Sequence, residues 1–164
     1  MKRWREKGFE LCFWALFACC MLIAPTASAQ FLPGISEMTG FGGVTINGEN
    51  AATAGMAVTL NFTPQMGFEG EIGVIFADDE EIMVSGNVVL NLGYGTSFIV
   101  PYLTGGAGLI NNGGTEIALN MGAGFKVFVE PNIALRSDFR VFLTTEGGDV
   151  NDLERFYVGI DFLF

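Results

Sequence analysis

Eight times between residues 38 and 164 the chain runs for about ten residues with large apolar side chains at every second position. A period of two belongs to a strand, whose successive side chains point to opposite faces. The last such stretch is RFYVGIDFLF, with Phe156, Val158, Ile160, Phe162 and Phe164 on one face and Arg155, Tyr157, Gly159, Asp161 and Leu163 on the other. The seven before it are Met38–Asn47, Thr53–Phe62, Met66–Ala77, Glu81–Leu92, Ser97–Ile110, Glu116–Val129 and Ile133–Leu143. No helical period competes with them. Strands this closely spaced suit an up-and-down antiparallel meander, and closing the meander removes its two edges. The expected fold is all-β, an eight-stranded antiparallel barrel.

The first thirty residues have a different character. MKRWREK is basic, LCFWALFACCMLIA is apolar, and APTASAQ offers the small-residue pattern Ala27-Ser28-Ala29. That order is the signature of a secretory signal peptide, with cleavage after Ala29. The apolar run from Leu11 to Ala24 is short for a membrane-spanning helix. Phe17 fits poorly in a lipoprotein box around Cys19. Residues 1–29 are therefore read as signal and 30–164 as one barrel domain. Cys12, Cys19 and Cys20 all leave with the leader, so the mature chain has neither disulfides nor thiol chemistry. It keeps four basic and sixteen acidic residues, a balance that repels nucleic acid.

Connections of two kinds alternate along the meander. TPQ, GYGT and EPN are short and marked by Pro or Gly. NGENA, ADDEE, NNGGTE and TTEGGDVNDLE are read as longer, acidic loops gathered at the opposite end. Oxygen-rich loops of this kind could hold divalent cations, but no EF-hand spacing is present, and a solvated acidic rim is the default expectation.

The minority faces decide which side of the sheet meets water. Glu69 with Glu71, Lys126, Arg136 with Asp138 and Arg140, and Asp161 stand among glycines and asparagines. A water-exposed barrel surface would carry many lysines, whereas residues 30–164 contain one. Small residues also suit the interior of an eight-stranded barrel, which leaves little room. The opposite faces are almost unbroken Phe, Leu, Val and Ile, as expected of a lipid-facing band. The expectation is a transmembrane barrel with a lumenal charge network of Glu69, Glu71, Lys126, Arg136, Asp138, Arg140 and Asp161. Arg155 is placed near the rim, and Val100 and Tyr102 on the apolar outer side.

The segments VPYLTGGAGL (Val100–Leu109) and LNMGAGFKVFVEPNIALRSDFRVF (Leu119–Phe142) and the aromatic C-terminus carry a resemblance. The chain resembles the small OmpA-like, OmpX-like and opacity-type barrels of bacterial outer membranes. That resemblance implies outer-membrane localisation and a monomer surrounded by outer-membrane lipid. It also implies that Phe156, Val158, Ile160, Phe162 and Phe164 form a C-terminal signal for the barrel-assembly machinery. Several barrel families share these patterns.

Catalytic chemistry finds few candidates. The chain has no histidine, and the mature part has no cysteine, which excludes His-based triads, thiol nucleophiles and the usual zinc ligands. A Ser–Lys pair would need Lys126 beside Ser137, yet alternation sends them to opposite faces. Gly105–Gly108 and Gly122–Phe125 lack the following helix that a phosphate loop needs. Nothing calls for a cofactor. The expected role is structural or surface-interacting and non-catalytic, with a narrow pore or a soluble lipocalin-like barrel as rivals. Deleting Phe164 is expected to lower membrane-assembled protein on immunoblots of cell fractions and raise degraded or periplasmic protein. Unchanged membrane levels would refute the assembly signal.

Overall fold

A computed structural model describes residues 36–47, 49–77, 80–93, 98–111, 114–146 and 149–164. The expected leader, residues 1–29, lies outside the described residues, as do its cleavage point and Asp78 and Asp79 of the ADDEE connection. The alternating segments form eight strands: β1 (Ser36–Asn47), β2 (Glu49–Asn61), β3 (Met66–Phe76), β4 (Glu80–Asn91), β5 (Ile99–Asn111), β6 (Thr115–Glu130), β7 (Ile133–Glu146) and β8 (Asp149–Leu163). Each pairs antiparallel with the next, and β8 returns to β1, giving a closed barrel. The seam holds Gly40 against Ile160 and Val44 against Phe156. At its end Ser36 and Phe164 exchange two backbone hydrogen bonds of 2.9 Å each. The terminal phenylalanine is thus tied by its main chain to the first strand, and its ring stays exposed.

The strands run further than their apolar alternation. β1 and β2 meet at Asn47↔Glu49, and β7 and β8 at Glu146↔Asp149. The stretches NGENA and TTEGGDVNDLE are therefore largely paired strand rather than long loops, because main-chain pairing continues where side chains turn polar. The longest gap between strands, between Asn91 and Ile99, lies at the opposite end, where Ser36 and Phe164 meet. That end is called the turn end below, and the other the hairpin end.

Side chains sort by parity as a closed, narrow sheet requires. On the outer surface Met56, Leu60, Phe68, Ile72, Val88, Leu119, Phe139, Val158 and Ile160 are exposed. Inside, Glu69, Glu71, Asn87, Asp138 and Arg140 are buried. This polarity is the inverse of a soluble globule. An apolar area of this extent around the whole circumference is matched by hydrocarbon, not by water. The architecture is that of a transmembrane β-barrel.

The interior is layered. At the hairpin end Ile75, Met83, Ile110, Ala118, Phe142 and Leu153 pack into an apolar cluster. At the turn end Val100, Phe128 and Ala134 form a second, with Leu163 against it. Between them lies a polar belt. Two expectations are corrected here. Val100 and Tyr102 face the lumen rather than the outside, at 2% and 1% exposure. In FIVPYLTGG both parities are apolar, so hydrophobicity cannot fix the phase of β5; pairing with β4 and β6 does. Arg155 is not at the rim: β8 starts six residues before it, which carries it down to the belt.

The lipid-facing assignment predicts a sharp contrast at Phe139, midway along β7 and exposed on the outer surface. Phe139→Leu should leave unfolding in lipid bilayers nearly unchanged. Phe139→Arg should cost about 2–4 kcal/mol, the penalty for a cation at mid-bilayer. Equal stability of the two variants in urea titrations would contradict the assignment.

Candidate functional site

Among the described residues, the polar belt is where the chain concentrates charge away from solvent. β3 contributes Glu69 and Glu71, β7 Arg136, Asp138 and Arg140, and β8 Arg155, Tyr157 and Asp161. β1 adds Glu37 and Thr39, β5 Tyr102 and β6 Lys126. Every one of these side chains is buried. The sequence beyond residue 29 contains only four basic residues, and all four lie in this belt.

Arg140 is the hub. Its Nη1 lies 3.1 Å from Glu71 Oε2, and its Nη2 lies 3.2 Å from Glu69 Oε1 and 3.0 Å from Asp138 Oδ2. Arg136 reaches Glu69 Oε2 at 2.6 Å, and Arg155 reaches Glu71 Oε1 at 2.6 Å. Lys126 pairs with Glu37. These contacts do not follow neighbouring strands. β3 and β7 stand four strands apart in the barrel order, β8 and β3 three, and β6 and β1 three. The ion pairs are struts across the lumen.

Neutral groups fill the remaining valences. Tyr102 Oη donates to Asp138 Oδ2 at 2.7 Å and accepts from Arg136 Nε at 2.8 Å. Asn87 Nδ2 donates to Glu69 at 3.2 Å, and Asn61 Nδ2 donates to Glu37 at 2.7 Å. Arg155 is held differently. Its Nε and Nη2 have no hydrogen-bond acceptor, and its guanidinium lies 5.0–5.2 Å from the ring centres of Phe41, Phe142 and Tyr157. Aromatic faces supply the negative potential that an acceptor would have given. Glycines keep the belt narrow. A Cβ at Gly124 would sit 2.1 Å from the Ser137 carbonyl oxygen and 2.5 Å from Tyr102 Oη.

The structure brings Glu69, Glu71, Arg136, Asp138 and Arg140 into one contact network. Lys126 joins a second pair nearer the turn end, and Asp161 takes only a hydroxyl bond from Thr39, at 2.7 Å. Reading the sequence missed Glu37, because the alternation of β1 was begun one residue too late at Met38. It put Tyr157 on the face of Asp161 without a role, and missed Tyr102 and Phe41 as lumenal, since aromatic residues inside a polar interior give no compositional signal. The outward row Phe156, Val158, Ile160, Phe162 and Phe164 lies along the seam strand; Val158, Ile160, Phe162 and Phe164 are exposed and Phe156 is half-buried. Gly105–Gly108 and Gly122–Phe125 lie within β5 and β6, not at the start of a helix. Ser137 points outward, away from Lys126. Among the described residues no cluster of acidic side chains has metal-binding geometry.

No protein-family model and no curated protein matches the chain. Solved structures do share its fold. The N-terminal β-barrel domain of Pseudomonas aeruginosa OprF superposes with a TM-score of 0.68 at 16% identity, covering 80% of this chain and 98% of that one. Neisserial surface protein A gives 0.63 at 13% identity, covering 79% and 96%. A de novo designed transmembrane β-barrel gives 0.57 at 17% identity, covering 82% and 99%. Identities this low establish the barrel architecture, which both natural proteins and a designed chain adopt.

Arg140 offers the direct test of the belt. Arg140→Ala leaves Glu69, Glu71 and Asp138 with one fewer buried cation, so unfolding in detergent should lose about 3–5 kcal/mol. A loss below about 1 kcal/mol, the range of solvated ion pairs, would mean that water reaches the belt.

Proposed function

We propose that this protein is an integral outer-membrane barrel that serves as a sealed structural or surface-interacting element, without catalysis. The observation that carries the reading is the combination of an apolar outer surface with an interior of buried, mutually paired charges set between two apolar clusters. Charged struts occupy the middle of the interior, and an apolar cluster lies toward each end. A conducting pore needs a continuous wet path, and apolar clusters toward the two mouths oppose one. A soluble ligand-binding barrel needs an apolar cavity and a polar exterior, the reverse of what the side chains present. The designed barrel that shares the fold argues that architecture alone assigns no activity, so the role is read from the residues. Those residues include no histidine and, beyond the leader, no cysteine.

The partners proposed on this reading are the lipid of the outer membrane, the assembly machinery at the aromatic C-terminus, and whatever meets the acidic hairpin end. Glu80, Glu81, Glu116, Asp152 and Glu154 stand at that end, with every cation of residues 30–164 committed to the lumen. Divalent ions would bind such a rim loosely, as counter-ions rather than in a built site. The barrel acts as a monomer.

Two measurements test the reading together. The full-length protein should stay with outer membranes through carbonate and urea washes. The purified barrel should insert into planar bilayers without steady single-channel current. Release by washing would favour the soluble barrel, and steady ohmic conductance would favour the pore.

A further inference from the structure

The belt does not balance. Five carboxylates are buried in it, Glu37, Glu69, Glu71, Asp138 and Asp161, against four cations, Lys126, Arg136, Arg140 and Arg155. No other Lys, Arg or His exists between residues 30 and 164 to supply the difference. Four of the carboxylates touch a cation within ion-pair distance; among the described residues Asp161 does not. It is fully buried, its Oδ1 accepts the Thr39 hydroxyl, and its Oδ2 has no partner.

The cations facing Asp161 are paired with other carboxylates, while Arg136 Nη2 and the Tyr157 hydroxyl make no hydrogen bond. From β7, Arg136 spends Nη1 on Glu69 and Thr39 and Nε on Tyr102. From β6, Lys126 holds Glu37 of β1. Tyr157 of β8 stacks on Phe41 with ring centres 4.3 Å apart. Toward the turn end stands the apolar cluster of Val100, Phe128, Ala134 and Leu163. A fifth full negative charge here would be desolvated in excess of the four buried cations, each of which already pairs with another carboxylate, and that is costly in a protein interior.

We propose that Asp161 is a proton-binding site: in the folded barrel it carries a proton at neutral pH, which brings the sealed belt to zero net charge. Asp161 then acts as a neutral hydrogen-bonding group beside Thr39 rather than as a member of the ion-pair network. The inference rests on the sealed-lumen reading, since a water-filled lumen would solvate the ionised form.

Infrared spectroscopy of the barrel in lipid vesicles at neutral pH reads the proton directly. The wild type should show the carbonyl stretch of one protonated carboxylic acid. That band should shift when aspartate side chains carry 13C, and it should vanish in Asp161→Asn. Because asparagine resembles the protonated acid, the Asp161→Asn unfolding midpoint should match wild type. The labelled wild type answers the question even if the variant folds poorly. Absence of the band, a band insensitive to aspartate labelling, or a band that survives in Asp161→Asn overturns the proposal. So does a stability that requires sodium or potassium, which would put a metal cation in the proton's place. A conducting wild type would defeat the sealed-lumen reading, whereas a silent barrel without the band defeats this proposal alone.

Discussion

Pairing of charge across the lumen is the constraint on which the rest of this barrel depends. A buried ion costs several kcal/mol of lost hydration, and only close partners return it. Arg140 meets that condition by touching three carboxylates, two of them on β3 at the far wall. Such contacts cannot exist in an open sheet, because β3 and β7 come within reach only once β8 has closed on β1. Closure of the seam and satisfaction of the belt are therefore one event. A chain that inserted with its strands out of register would leave guanidinium and carboxylate groups without partners in a low-dielectric interior. The belt selects the closed register against its competitors, while the outer surface, apolar in nearly every register of the correct parity, selects only the side.

The same economy shapes the surface. With every basic residue of the segment from 30 onward drawn inward, nothing positive remains to offset the acids at the hairpin end. In a membrane these acids lie beyond the apolar band, where hydration is available. The apolar clusters then have a clear physical role. On the proposed reading they separate the belt from water at each mouth, so that the struts operate at the low dielectric that makes them strong.

Much of the fold was legible in the sequence because alternation is a local property. Ile72 and Val74 against Glu71 and Gly73 announces both a strand and its two faces, without reference to any partner. The inward placement of Lys126, Arg136, Asp138 and Arg140 follows from the same parity. Three things were not legible, each for a physical reason. The phase of β5 was hidden because Val100 and Tyr102 are apolar like their neighbours Ile99 and Leu103, and the interior is apolar at that level. The depth of Arg155 was hidden because main-chain pairing extends through Asp149–Glu154, whose side chains show no strand signature. The struts themselves were hidden because they join strands that are not sequence neighbours. Which carboxylate meets Arg155 is decided by the stagger of a closed barrel, a global quantity that no window of residues contains.

The central claim is that charges inside this barrel are sealed from water while the surface outside it is sealed by lipid. Nitrogen-resolved NMR in lipid nanodiscs tests it most directly, through the Nε protons of Arg136, Arg140 and Arg155 transferred into D2O. A closed belt between dry clusters requires these protons to exchange orders of magnitude more slowly than a free arginine side chain and to persist long after loop amides have vanished. Exchange at the free-arginine rate would mean that water fills the lumen, and the sealed barrel would be wrong.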